Sequence, residues 1–359
     1  MKSLLDGIAR NALFKLDPET AHGLSISALK SGLVPACRTS DPRLAVTVAG
    51  LAFPNPLGMA AGYDKNAEVA SELSRLGFGF VEVGTLTPKP QSGNPKPRIF
   101  RLVKDQAVIN RLGFNNQGHA EAHARISGRR REGILGVNIG ANKDTADRVG
   151  DYVAGISRFA DVADYFTVNI SSPNTPGLRN LQSREALSDL LSQVLAERDA
   201  KAKRIPVFLK IAPDLTESDL DDIAAECLAQ KLDGVIVSNT TLSRAGLSTD
   251  PKVSEAGGLS GRPMFERSTI VLAKMRQRLG ADMPLIGVGG IDSAETAAEK
   301  MRAGADLVQL YTGFIYGGPL LPGRIVRDLS RLCDRENLMR LSDLRDSKTA
   351  HYAGLAIPE

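Results

Sequence analysis

Three short stretches of the sequence place an amide, an amide and a cation at matching positions of similar apolar runs: VNI at 137–139, VNI at 168–170 and LKI at 209–211. The polar residues at the ends of eight such runs form a set with one chemical character: Asp64-Lys65, Thr85, Asn138, Asn169, Lys210, Ser238-Asn239, Gly289-Gly290 and Tyr311-Thr312. One asparagine at such a place is an ordinary turn residue. A whole ring of polar groups is costly to bury unless something polar binds against it. The set holds lysines and carboxamides but a single carboxylate and no histidine. Carboxamides both donate and accept, so the expected ligand is planar, anionic and rich in carbonyl and N–H groups. Metal-assisted hydrolysis needs several His, Asp or Glu ligands in one place, and the set lacks them. The histidines lie elsewhere, at 22, 119, 123 and 351. His119 and His123 share a helical face with no carboxylate partner in the pattern, and read as a solvated face. Glycines at 287, 289, 290 and 313 let backbone N–H groups approach a phosphate. A phosphorylated cofactor with its ring over this rim follows, and Lys210 would hold negative charge on the reduced ring.

The elements that position these residues are eight alternations of apolar run and helical pattern between about residues 55 and 335. The runs are PLGMAAG, FVEVG, GILGVNIG, YFTVNI, VFLKIA, GVIVSN, PLIGVGG and DLVQLYT. They are near-continuously apolar, as parallel strands covered on both faces must be. Thr216 and Asp219 predict an acidic capping box before the helical face Leu220, Ile223, Ala224, Cys227 and Leu228, and Asp292 with Glu295 predicts another. Eight βα units read as a closed (β/α)₈ TIM barrel of the α/β class. A doubly wound open sheet is the alternative, but no G-x-G-x-x-G follows the first strand. Residues 87–117 and 242–263 are too long for ordinary βα loops and are expected to build the site.

Ahead of the barrel, Leu4, Leu5, Ile8, Ala9, Ala12, Leu13 and Leu16 form one stripe, with Lys2, Asp6, Arg10 and Lys15 opposite. Asp17-Pro18 predicts the start of a second helix through His22, Leu24 and Leu29. Pattern alone leaves two readings open, a helical hairpin packed on the barrel or an amphipathic pair in a membrane interface. The net charge of +4 is too small to argue for nucleic acid and suits an acidic ligand or an anionic membrane. Three scattered cysteines, Cys37, Cys227 and Cys333, argue against a disulfide framework or a zinc site. No run approaches eighteen apolar residues, and the N-terminus lacks a secretory signal.

The sequences AAGYDKN, GTLTPKPQSGNPKPRIFRL, INRLGFNN, NISSPNTPGLR, KIAPD, SNTTL, GGLSGRP, IGVGGIDS and LVQLYTGFIY, in this order, resemble the quinone-dependent (class 2) dihydroorotate dehydrogenases. The resemblance covers nearly the whole chain, including LDPETAH near the N-terminus. It implies an FMN-dependent oxidation of (S)-dihydroorotate to orotate in pyrimidine biosynthesis, with a membrane quinone as final acceptor. It implies FMN contacts from Ala61, Gly62, Tyr63, Asp64, Lys65, Thr85, Asn138, Asn169, Lys210, Ser238, Gly261, Gly290, Tyr311 and Thr312. The substrate would be held by Lys65, Asn110, Arg111, Leu112, Gly113, Phe114, Asn169, Asn174, Asn239 and Thr240.

The base implied is Ser172, taking a proton from C5 while hydride leaves C6, with Thr175 and Phe114 helping it lose its own. Soluble class 1 relatives carry cysteine there, so a serine selects the quinone-linked branch. His22, Arg101 and Tyr311 match residues near the quinone tunnel. Tyr63 stands where leucine or phenylalanine is commoner, and Ser238 where threonine is. The implied organisation is a membrane and quinone-access segment at 1–40, an FMN-binding barrel at 41–340 and a tail at 341–359. The expected protein is a monomer without metal or nucleic-acid partners, peripheral on the cytoplasmic side of a bacterial inner membrane. The rival readings are another phosphate-binding barrel, either an FMN-dependent oxidoreductase of a different substrate or an aldolase-like lyase using Lys210, and a membrane-associated binding protein without turnover.

Overall fold

The computed structural model describes residues 13–32, 36–37, 39–128 and 132–358. A short hairpin of β1 (Val46–Val48) and β2 (Leu51–Phe53) precedes β3 (Leu57–Met59) and β4 (Phe80–Leu86). After β5 (Ile99–Leu102) and β6 (Ala107–Asn110) come β7 (Ile134–Ile139), β8 (Tyr165–Asn169), β9 (Val207–Ile211) and β10 (Gly234–Val237). The last three strands are β11 (Gly258–Gly261), β12 (Leu285–Val288) and β13 (Leu307–Leu310). Eight of these close a parallel barrel in the order β3-β4-β7-β8-β9-β10-β12-β13. They are the eight apolar runs of the sequence, and the open doubly wound alternative is excluded.

The barrel interior is layered. Val48 and Phe53 of the hairpin close the N-terminal end against Phe80, Tyr165 and Phe208. Phe53 meets Phe80 edge-on at 5.2 Å, and Tyr165 meets Phe208 at 5.5 Å. These rings need gaps opposite them. A Cβ on Gly136 would lie 2.1 Å from the Tyr165 ring, and one on Gly234 would lie 2.3 Å from Phe208. Large rings facing glycines fill the narrow tube at interior density. Above the rings lies a polar layer of Glu82, Asn138 and Gln309, all fully buried. The cavity opens above that. The main apolar core lies outside the strands, under the helices, and includes Leu220, Ile223 and Cys227.

Thr216 and Asp219 form the predicted capping box of the helix Glu217–Ala229. The helix Ala294–Arg302 is capped differently from expectation, by Ser293 with Thr296 rather than by Asp292 with Glu295. A hydroxyl pair one residue on meets the same orphan N–H groups.

The two long insertions pair with each other. β5 and β6 from the first and β11 from the second form one antiparallel sheet, with Gly258 opposite Asn110 and Gly261 opposite Ala107. The helix Pro18–Lys30 begins at Asp17, whose carboxylate accepts from the N–H groups of Glu19 and Thr20 at 3.0 Å each. This helix is docked on β5. Arg98 donates to both carboxylate oxygens of Glu19, at 2.6 and 3.1 Å, and is itself buried. Arg101 donates to the carbonyls of Phe14 and Leu16 and lies 4.9 Å over the Phe14 ring. The stripe from Leu4 to Ala12 lies outside the described residues. Among the described residues no helix is long and apolar enough to cross a membrane.

Candidate active site

A cavity of about 430 Å³ lies between the carboxyl ends of the barrel strands, the insertion sheet and the N-terminal helix. That volume is in the range of a small-molecule site. Its wall holds Ala61, Gly62, Tyr63, Lys65 and Thr85 from the first two strand ends, and Asn110, Leu112, Gly113 and Phe114 from the first insertion. Asn169, Ser172, Asn174, Lys210, Ser238, Asn239 and Thr240 continue it, followed by Gly261, Gly290, Tyr311 and Thr312. His22 and Arg101 line the same cavity, beside Leu13, Phe14 and Leu29.

Three predicted residues stand apart from the wall. Asn138 lies directly beneath it, fully buried, and accepts a hydrogen bond from Thr85 at 2.6 Å. Asp64 turns its carboxylate away, accepting from the backbone N–H groups of Glu68 and Val69 at 2.7 and 2.8 Å. A carboxylate so engaged shapes the loop that carries Lys65. Arg111 also points elsewhere. It pairs with Glu255 at 2.7 Å, donates to Pro97 and Ala256, and covers the Phe100 ring at 4.5 Å. It therefore clips the two insertions together, while its neighbours Asn110 and Leu112 face the cavity.

The charges of the wall are set by burial. Lys210 is only 4% exposed, and no hydrogen bond or ion pair joins its ammonium to the described residues. Burial pushes its pKa down, and the more distant Glu82 carboxylate opposes that. Lys65 donates to the Gly62 carbonyl, and burial holds its pKa down to about 8. An unpaired buried cation is costly, and two lysines on one cavity favour an anionic ligand. His22 is lowered to about 3 by burial, with the nearby Lys65 adding to the effect, so its imidazole is neutral. Its ring stands edge-on to Tyr63 at 5.1 Å, and the Tyr63 hydroxyl meets Ser25 at 3.0 Å. The unusual tyrosine thus ties the rim to the N-terminal helix.

Ser172 is 6% exposed, and its Oγ accepts from the Asn174 N–H at 3.3 Å. The Thr175 hydroxyl is buried without a hydrogen-bond partner among the described residues. Phe114 takes a left-handed backbone at φ 53°, a conformation uncommon outside glycine, asparagine and aspartate. Asn174 donates to Asn110 at 3.3 Å, joining the serine loop to the insertion sheet.

The expected solvated histidine face is corrected. His119 is buried edge-on to Phe159 at 5.1 Å, and burial lowers its pKa to about 4. His123 meets the Asp161 carboxylate at 2.9 Å. Asp161 belongs to a neighbouring segment, which helical spacing along one helix does not reveal. Sequence reading also missed Glu82, Gln309 and the Glu19–Arg98 pair. A charged residue inside the apolar run FVEVG was the available signal for Glu82.

Barrel, rim and insertion sheet together define a (β/α)₈ barrel protein with a deep cavity lined by lysines and carboxamides. A profile of the family described as dihydroorotate dehydrogenase matches residues 43–333. The "Dihydroorotate dehydrogenase (quinone)" of Sinorhizobium fredii (strain NBRC 101917 / NGR234) is 67% identical over 359 residues, 99% of each chain. That of Rhizobium rhizogenes (strain K84 / ATCC BAA-868) is 68% identical over 351 residues, 96% of this chain and 97% of the relative. The crystal structure of the Eimeria tenella enzyme in complex with ferulenol superposes with a TM-score of 0.89 at 40% identity, covering 92% of this chain and 96% of that one. The chain belongs to the dihydroorotate dehydrogenase family.

Proposed function

We propose that this protein oxidises dihydroorotate to orotate, using flavin mononucleotide and passing the electrons to a quinone. The observation that carries this reading is the continuity of the cavity. Ser172, Lys210 and the carboxamides line the same space as His22, Leu13, Phe14 and Leu29. A polar, cationic chamber for a planar anion therefore runs into an apolar passage under the N-terminal helix. The curated relatives at 67% and 68% identity carry the quinone-linked name, which agrees with that passage.

The residues fit the flavin. Lys210 is a buried cation without an anionic partner close enough for an ion pair. Gly290 takes φ 76°, and a Cβ there would lie 2.5 Å from Phe265. Gly261 takes φ 106°, and a Cβ there would lie 2.3 Å from the Gln106 carbonyl. Both glycines lie on the cavity wall, where the chain packs too closely on itself for a side chain. Ala61, Gly62, Tyr63, Thr85, Asn169, Lys210, Ser238, Gly261, Gly290, Tyr311 and Thr312 would hold the cofactor, with Asn138 behind them. When bound, the flavin accepts the hydride released from the substrate.

The chain supplies the rest. Lys65, Asn110, Asn169, Asn174, Asn239 and Thr240 orient the substrate carboxylate and pyrimidine edges. Ser172 takes the proton from C5, and Thr175, three residues on in the same loop, would help it lose its own. Tyr63, Tyr311 and Phe314, in edge-on contact at 5.3–5.7 Å, keep water from the junction of the two chambers. Docking of residues 1–40 against a bilayer surface, with the barrel at 41–340 beside it, would open the apolar passage toward the quinone. The tail at 341–359 contributes a helix that packs on the barrel helix Phe265–Leu279. The test is a coupled assay with a long-tailed quinone in detergent. Orotate should form beyond one equivalent per flavin only when dihydroorotate and quinone are both present. A flavin-loaded protein that forms none would refute the reading.

A further inference from the structure

The wall of the cavity rests on a chain of hydrogen bonds that all run one way. Asn239 Nδ2 donates to Ser171 Oγ at 2.9 Å, and Ser171 Oγ donates to Asn169 Oδ1 at 2.8 Å. Asn169 Nδ2 donates to Thr85 Oγ1 at 2.9 Å, and Thr85 Oγ1 donates to Asn138 Oδ1 at 2.6 Å. Asn138 Nδ2 then donates to Glu82 Oε1 at 2.7 Å. The other oxygen of Glu82 accepts from Gln309 Nε2 at 2.8 Å and from the Tyr165 hydroxyl at 3.1 Å. Glu82 is 0% exposed and lies in the middle of β4, in the polar layer beneath the cavity.

Each of the other members of this chain could be turned round. A carboxamide can exchange its oxygen and nitrogen, and a hydroxyl can rotate. An ionised carboxylate cannot, because it only accepts. The three groups that meet Glu82, the amides of Asn138 and Gln309 and the hydroxyl of Tyr165, all do so as donors, so both of its oxygens only accept. Asn138 must then present its N–H₂ downward and its oxygen upward. Thr85 must donate to that oxygen and so can only accept from Asn169. Asn169 must turn its own oxygen toward Ser171. The sequence of forced choices ends at Asn239, whose N–H₂ donates to Ser171 Oγ and reaches Asn169 Oδ1 at 3.4 Å, while its Oδ1 accepts from the Thr240 N–H at 2.8 Å.

We propose that Glu82 is a positioning residue that fixes the donor and acceptor pattern of the substrate chamber from beneath. It touches no ligand. By holding Asn169 and Asn239 of the cavity wall in one orientation each, it sets which of their atoms a pyrimidine can meet, without reorganisation on binding. This rests on the functional reading above, since it names orotate as the ligand that reads the pattern.

The test compares flavin-loaded parent, Glu82→Gln and Glu82→Met. Glutamine keeps an oxygen for Asn138 and can turn its N–H₂ toward the Tyr165 oxygen and, once Gln309 exchanges its amide atoms, toward Gln309 Oε1, so the direction of the chain survives. Methionine has a similar volume and no acceptor, so Asn138 and Thr85 are free to turn. Glu82→Met should raise the orotate dissociation constant and the dihydroorotate KM about tenfold, the size expected for a buried hydrogen bond to a charged group. The quinone KM should stay unchanged, and Glu82→Gln should stay within about twofold of the parent for both ligands. A purely structural role would instead lower Tm in both variants and leave this KM split absent. If Glu82→Met does not fold, the infrared difference between parent and Glu82→Gln decides. The parent should show no carbonyl band of a protonated carboxylic acid at Glu82, and such a band would overturn the proposal. Equal orotate affinity in parent and folded Glu82→Met would overturn it too. A parent that binds no orotate at all would overturn the functional reading and this proposal together.

Discussion

At Ser172 the proposed chemistry depends on a hydroxyl that is a poor base in water and is held at 6% exposure, with the Thr175 hydroxyl, three residues on, buried without a hydrogen-bond partner among the described residues. Ser172→Ala should leave flavin loading and orotate affinity nearly intact, because the proton moves in the transition state and not on binding. Flavin reduction by dihydroorotate should slow by roughly 10²–10⁴-fold in rapid mixing, the usual contribution of a positioned base. A near-native rate would remove Ser172 from that role. Lys65 gives a prediction in pH. Its pKa in the free site is held down to about 8, chiefly by burial. A bound carboxylate favours the ammonium and raises that pKa. Below pH 8 the lysine is already charged and orotate binding is independent of pH. Above pH 8 binding must take up a proton, so the dissociation constant should rise about tenfold per pH unit until the bound-state pKa is passed. Titrations from pH 6.5 to 9.5 check this, and Lys65→Met should flatten the rise. A flat profile in the parent would contradict it. Ser172 and Lys65 were legible in the sequence through NISSPN and AAGYDKN. Asp64 sits in AAGYDKN and Arg111 in INRLGFNN, yet adjacency in a motif does not say which side of a loop a side chain takes.

Among the elements, the insertion sheet does two jobs, roofing the cavity and carrying the N-terminal helix. Arg98 and Arg101, three residues apart, hold that helix through Glu19 and through the carbonyls of Phe14 and Leu16. Glu19→Ala leaves Arg98 buried without its carboxylate and should cost up to about 3 kcal/mol of stability. Arg101→Ala should cost about 1–3 kcal/mol through the carbonyls left unpaired. Both variants should impair reoxidation by quinone more than reduction by dihydroorotate. Thermal unfolding and the two half-reactions, measured separately, check this; equal damage to both half-reactions would count against it. The eight barrel strands were legible because strands covered on both faces must be apolar throughout. The two insertions were legible by their length. Their pairing was not, since an antiparallel register between segments about 150 residues apart leaves no local pattern. Glu82 and Gln309 were hidden for a related reason. Each is a polar residue in an apolar run, and only closure of the barrel brings their side chains together.

The whole molecule places a polar chamber and an apolar passage end to end in one cavity, under the helix Pro18–Lys30, which exposes Leu24 at 48% and is preceded by Leu16, exposed at 41%. Removing residues 1–40 should leave a yellow barrel that dihydroorotate still reduces, because the strands and the polar floor lie beyond residue 45. Reoxidation by a long-tailed quinone and sedimentation with anionic vesicles should both be lost. Truncated protein with full turnover in vesicles would show that the segment is not the entrance. The central claim is that one cavity serves dihydroorotate at one end and a quinone at the other. Sequential rapid mixing without oxygen tests it most directly. The flavin-loaded protein is reduced with a single equivalent of dihydroorotate, then mixed separately with a long-tailed quinone, NAD⁺ and fumarate while flavin absorbance is followed. The account predicts bleaching in the first mix and rapid recovery of the yellow colour with quinone alone. Recovery with NAD⁺ or fumarate at the rate seen with quinone, or no bleaching by dihydroorotate, would contradict it.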